Sequence, residues 1–173
     1  LGHEVADVKY RLTDKFHDEQ LESSLTGAIV QHGFEMIFSF DYFPVLSDIA
    51  ERTGVKYISW VYDSPHNTLY AKNIFNKCNY IFCFDSLDAG RLRQLGVQHA
   101  YHMPLAANVG RLDALLGELS VPCHYDYDIS FVGSLYRGRY NFYDSIKMPE
   151  YYRGFYDGIM QSQMELYGCD IVS

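Results

Sequence analysis

Three carboxylates close three apolar runs at a constant interval. Asp41 ends the run 35–40, Asp63 ends 56–62 and Asp85 ends 80–84, with spacings of 63 − 41 = 22 and 85 − 63 = 22. Each has aromatic and hydroxyl neighbours: Phe40, Tyr42 and Phe43 around Asp41; Trp60, Tyr62, Ser64, Pro65 and His66 around Asp63; Phe84 and Ser86 around Asp85. A polyhydroxylated ligand needs this mixture, because sugar CH groups pack on rings while its hydroxyls bond to carboxylates. The plainer reading makes the aspartates N-caps of the helices that follow. For Asp85 the cap is preferred, for Asp41 the two readings are even, and Asp63 is assigned a functional role. Asp63 is therefore the candidate catalytic residue, with Asp41, Trp60, Tyr62, His66 and Asp85 as candidate substrate-binding residues.

A second chemical stretch, Gly133-Ser134-Leu135-Tyr136-Arg137-Gly138-Arg139-Tyr140, follows an apolar run and resembles a phosphate-binding loop frame. It departs at both diagnostic positions, where Arg139 replaces lysine and Tyr140 replaces the magnesium-holding hydroxyl. A glycine turn with Arg137 nearby can still bind a diphosphate through backbone N–H groups and guanidinium, making Gly133, Ser134 and Arg137 candidate donor-phosphate residues. A tight turn carrying solvated arginines is an equal alternative.

No metal site is read from the sequence. His99 and His102 lie three apart on an expected strand and point to opposite faces, and Cys123-His124 lacks a partner pair at ligand spacing. The four cysteines form no CxxC pair, Cys83 reads as a small buried thiol, and no Gly-x-Ser-x-Gly elbow occurs.

Short apolar strands must position these residues, and they alternate with helical patterns as in βαβ units of a parallel sheet. Helices are expected over 18–32, 44–53 and 87–95, stopped by Gly33, Gly54 and Gly96, with another helical stretch carrying Leu69, Tyr70, Ile74 and Phe75. Strands are expected over 35–40, 56–62, 80–84 and 99–102, with an earlier one near Val5. A helix with Leu112, Leu115, Leu116 and Leu119 follows. A domain boundary is placed near 121–127, then a buried strand over 128–133. Pro149 then opens an aromatic helix, which reads as core or domain packing. In a doubly wound sheet the carboxyl ends of the strands share one rim, where ligands bind.

The 173 residues suit one domain or one plus a piece of another. Hydrophobic residues make up 48% and charged residues 21%, which excludes a disordered or coiled-coil chain. With 14 Lys and Arg against 22 Asp and Glu, the charge is 14 − 22 = −8, unsuited to nucleic acid. No apolar run approaches the ~18 residues of a membrane span. The cysteine usage points to a reducing, cytoplasmic compartment.

Six segments, taken in order, resemble a known family: Leu1-Gly2-His3-Glu4-Val5, Phe38 to Ser47, Tyr57 to Pro65, Phe82 to Asp85, Pro104 to Ala107, and Asp128 to Tyr136. Together they resemble the DUF3880 type of bacterial glycosyltransferase-like protein, related to the spore-maturation CgeB group. The resemblance implies a GT-B architecture, two Rossmann-like domains with a nucleotide-sugar site in the cleft. Residues 1–120 would be the N-terminal, acceptor-side domain, and 121–173 a linker and the start of the donor-side domain. It further implies transfer of a sugar from a nucleotide sugar to a cell-surface glycan or protein acceptor, with no cofactor and no metal.

By the same resemblance, the family's first strand and helix would precede Leu1 and most of the donor domain would follow Ser173. The 173 residues would then be inactive alone. Without its first strand the sheet would hold the Val5 and Met36 strands apart from Ile58, or pair them wrongly, and self-association or a partner strand is expected. The alternative is a non-catalytic Rossmann-like binding or assembly module.

Overall fold

The computed structural model describes residue 2 and residues 4–119, 126–133 and 141–168. The chain divides into two compact units, Leu1–Leu119 and Ser120–Ser173.

The first unit is α/β. Helix α1 (Glu19–His32) begins at Asp18, whose carboxylate accepts the Leu21 N–H, and ends at Gly33 in the left-handed region. Strand β1 (Met36–Phe40) leads to α2 (Pro44–Thr53), where proline occupies the first turn and its missing N–H costs nothing. Strand β2 (Lys56–Val61) is followed by two 3-10 turns, Asn67–Tyr70 and Lys72–Phe75, and then β3 (Asn79–Cys83). Helix α3 (Ser86–Gln94), β4 (Ala100–His102) and α4 (Val109–Leu119) complete the unit.

All four strands are parallel in the order β1-β2-β3-β4, with Phe40 opposite Trp60 and Trp60 opposite Phe82. This is a Rossmann-like sheet growing in one direction. Right-handed crossovers then carry successive connections across the same face. The burial alternation agrees: Tyr57, Ser59, Val61, Ile81 and Cys83 are buried, with α2 packed on β1 and β2 and α3 on β3 and β4. The opposite face bears Phe38, Phe40, Trp60, Phe82 and Tyr101, of which Phe38, Phe40 and Tyr101 are exposed. Burial pushes the Cys78 and Cys83 thiols up to about 12, so Cys83 is the inert core thiol that its apolar run indicated.

A second apolar layer lies between α1 and α2, formed by Leu21, Ile29, Val45 and Ile49 with Tyr10 and Leu12 from the segment before α1. Asp18 ties that segment down. Its carboxylate accepts Tyr10 OH (2.7 Å), Thr13 Oγ1 (2.6 Å) and the Thr13 and Leu21 backbone N–H groups. The Thr13 hydroxyl, then the Leu21 N–H and Tyr10 hydroxyl, hold its pKa far below the ordinary carboxylate range. A carboxylate whose folded pKa is depressed stabilises the fold above its unfolded value, about pH 4, and that contribution is lost as pH falls toward the folded value. Thermal unfolding should show the midpoint falling below about pH 4, and Asp18→Asn should lower the neutral-pH midpoint while flattening this acid limb. Parallel acid limbs in the two proteins would contradict it.

Four expectations are corrected. Residues 4–15 form no strand, because no edge of the sheet receives them. The stretch carrying Leu69 to Phe75 is two 3-10 turns rather than an α-helix, since Ala71 between them is extended (φ −73°, ψ 148°). β1 pairs in full register with β2, so Met36 and Ile58 lie on adjacent strands and the sheet is unbroken within this chain. Residues 128–133 are not a strand, and Ile129, Phe131 and Val132 are 91, 90 and 97% exposed. An isolated apolar run has no ladder to join, and strands form only with partners.

Beside the irregular residues 126–133, the second unit has two described helices, α5 (Phe142–Ser145) and α6 (Glu150–Glu165). Tyr143 links them, donating from its hydroxyl to the Asp157 carboxylate (2.7 Å) beneath the Arg153 guanidinium. α6 buries none of its residues, so of the two expected roles, core or domain packing, it is not a core helix; Tyr152, Phe155 and Tyr156 are exposed.

Candidate functional site at the carboxyl rim of the sheet

Because the strands are parallel, the segments after β1, β2 and β3 leave from the same rim. Asp41 follows β1 directly and extends its ladder, donating its N–H to the Trp60 carbonyl (2.9 Å). Its φ of 60° lies in the left-handed region, tolerated by aspartate better than by most residues. A relay holds it there. The Tyr57 hydroxyl meets Ser39 Oγ (2.7 Å), which donates to the Asp41 carbonyl (2.7 Å), and the Phe43 N–H donates to the same Tyr57 oxygen (3.0 Å). Burial raises the Tyr57 pKa well above the usual phenol value, keeping the donor protonated. In this pose Asp41 Oδ1 accepts the Tyr62 and Asp63 N–H groups (3.2 and 3.3 Å), bracing the end of β2.

His66 packs against the same turn. Its side chain is only 4% exposed, and Nε2 lies 3.1 Å from the Tyr42 carbonyl oxygen and 3.2 Å from the Tyr42 nitrogen. Thr68 Oγ1 also donates to the Tyr42 carbonyl (2.6 Å). The ring is thus pinned through Nε2, while Nδ1 faces Asp41 Oδ1 at 4.0 Å.

Asp63 differs from both. It is exposed, it caps no helix, and its carboxylate takes no hydrogen bond among the described residues. Asp41, Asp63 and His66 each present a ligand atom within 4.8 Å of the others. The chain between Asp63 and His66 includes a cis Ser64–Pro65 bond.

The aromatic neighbours divide differently from the sequence expectation. Trp60 and Tyr62 flank Asp63 in sequence, yet Trp60 lies on the open sheet face with Phe40 (ring centroids 5.9 Å), and Tyr62 meets the same Phe40 ring edge-on (6.2 Å). The Trp60 indole N–H is buried without a partner. The result is an aromatic floor ending at a carboxylate rim.

Asp85 is a cap: its carboxylate accepts the Leu87 N–H (2.7 Å) at the start of α3. Of the donor-phosphate candidates, Gly133 sits in the non-strand segment, where an added Cβ would lie 2.6 Å from the Phe131 ring, while Ser134 and Arg137 lie outside the described residues. His99 stacks on Tyr80 (4.3 Å, 5°), a packing role.

Sequence reading passed over Tyr57 and Thr68 as ordinary strand and turn residues, and took Ser39 and Tyr42 as ligand-facing neighbours of Asp41 rather than as the groups that hold its turn. Only the hydroxyl of a tyrosine within an otherwise apolar strand hinted that something must bond to it. No helix among the described residues is long and apolar enough to cross a membrane. No family model, curated protein or solved structure matches the chain.

Proposed function

We propose that this chain carries the acceptor side of a glycosyltransferase-like protein, with the rim around Asp63 receiving the sugar or acceptor hydroxyl. One observation carries the reading: of the three rim carboxylates, Asp63 makes no hydrogen bond among the described residues. Asp41 and Asp85 are occupied by backbone N–H groups, whereas Asp63 is exposed and unbonded beside an aromatic floor. A general base needs that freedom to reach an acceptor hydroxyl. Asp41 then positions the turn, and His66 braces it from beneath.

The nucleotide-sugar donor needs a second wall. Among the described residues nothing holds a base or ribose, and residues 128–133 form no strand to present Gly133 at a helix N-terminus. These 173 residues should therefore bind uridine, guanosine and thymidine diphosphate sugars at roughly millimolar affinity or not at all, because few ligand atoms are buried. Calorimetry with the three donors measures this, and micromolar binding would mean that the donor site is misplaced.

The competing reading, a non-catalytic assembly module, is favoured by the open aromatic face and the free edge of β1. A form of the protein with a complete donor-side domain separates the two. Release of nucleotide with an acceptor present supports transfer, whereas an inert panel together with concentration-dependent self-association supports the module.

A further inference from the structure

We propose that Asp41, Asp63 and His66 form a divalent-cation site of the zinc or manganese class. No local spacing announces the set, because Asp41 lies 22 residues before Asp63 and 25 before His66. The fold assembles the set by joining the end of β1 to the turn after β2.

Four observations carry it. Ligand atoms of all three side chains lie within 4.8 Å of one another. Both carboxylates lack a Lys or Arg ion-pair partner among the described residues, so two like charges stand together without a compensating cation. His66 is pinned at Nε2 between the Tyr42 carbonyl (3.1 Å) and the Tyr42 N–H (3.2 Å), and in the tautomer whose Nε2–H donates to the carbonyl the other nitrogen is free to ligate. That other nitrogen, Nδ1, is held in the buried wall facing Asp41 at 4.0 Å, too long for a hydrogen bond. Asp41 is similarly braced, its Oδ1 held by two backbone N–H groups.

Tetrahedral coordination at ~2.1 Å brings ligand atoms to roughly 3.4 Å apart. Most of the contraction falls to Asp63, whose side chain is exposed and makes no hydrogen bond among the described residues, while His66 Nδ1 and Asp41 Oδ1 must close from 4.0 Å to the same spacing. An imidazole with two carboxylates suits Zn2+ or Mn2+ better than Mg2+ or Ca2+, which take oxygen ligands. Three protein ligands leave a position for water or a substrate oxygen, and an Asp63 holding the cation would not be the free base proposed for the metal-free rim, so the two roles belong to different states of the site.

The test uses Zn2+ and Mn2+ separately on this chain and reads binding alone, so its outcome is independent of whether the protein transfers sugar. Calorimetry should show one saturable site per chain. Electron spin-echo measurements of the bound Mn2+ should show nitrogen coupling from the imidazole. Asp63→Ala should weaken binding about tenfold or more, with the metal-free thermal midpoint unchanged or slightly raised, because the side chain makes no hydrogen bond among the described residues and stands beside the like charge of Asp41. His66→Gln should abolish the nitrogen coupling; if its burial prevents folding, Asp63→Ala decides. No saturation up to about 1 mM, unchanged affinity in Asp63→Ala, or bound Mn2+ without nitrogen coupling would each overturn the proposal.

Discussion

Asp63→Asn lowers turnover by about 10²–10⁴-fold, in any form of the protein that releases nucleotide from a nucleotide sugar, and leaves its thermal midpoint within experimental scatter. The size is that of a lost general base. The amide keeps the shape of the carboxylate and cannot take a proton. Stability is spared because the Asp63 carboxylate is exposed and makes no hydrogen bond among the described residues. The pH dependence of kcat/KM gives a second readout: a base that must be ionised produces an acidic limb, and the variant should lose it. Unchanged turnover would remove Asp63 from the chemistry. A fall in stability with activity per folded molecule intact would make it a structural residue instead.

Asn79→Ala destabilises the first unit by about 3 kcal/mol or more, the largest stability loss expected from a polar side chain here. Asn79 is 2% exposed at the start of β3. Its Nδ2 donates to the carbonyls of Asn73 (2.8 Å) and Ile74 (3.1 Å), and its Oδ1 accepts from Ser47 Oγ (2.7 Å). Those contacts close the second 3-10 turn against α2, helped by Asn73 and Asn76, which both donate to Asp48. Alanine leaves the Ile74 carbonyl without its donor, at about 1–3 kcal/mol unless water enters, and also removes one partner each from the Asn73 carbonyl and the Ser47 hydroxyl, which keep their contacts to each other and to Asn76. Urea unfolding measures the loss. Asn79→Asp keeps the volume but turns an acceptor toward two carbonyls, so it should be at least as damaging. A loss under about 1 kcal/mol for alanine would show that the network is not cooperative.

The same residues show why the sequence was legible in some places and not in others. α2 spans Pro44–Thr53, as its proline start and glycine stop indicated, and Gly33 and Gly96 likewise end their helices in the left-handed region. Those signals are local, because caps and stops act within one turn of backbone. The parallel α/β class was legible for a related reason, since apolar runs alternating with helical periods leave few other layer arrangements. The 22-residue recurrence of aspartates also placed them on one rim.

Which aspartate is free was a tertiary question. Asp41, Asp63 and Asp85 look alike in sequence, each ending an apolar run. Asp85 is consumed by its own helix, a short-range event. Asp41 is consumed by the N–H groups of Tyr62 and Asp63, 21 and 22 residues away, and no local pattern announces that pairing. His66 likewise acquires its role only when the turn after β2 reaches the backbone of Tyr42.

Strand formation at 128–133 failed for the complementary reason. Apolar character favours a strand there, but strand pairing is non-local, and the run pairs with no strand among the described residues. By itself, then, the sequence determined the helices with caps, the parallel class and the rim, because each rests on local periodicity. The tertiary structure alone decided the strand order, the bare aromatic face, and the meeting of Asp41, Asp63 and His66, because each requires contacts between segments far apart in the chain.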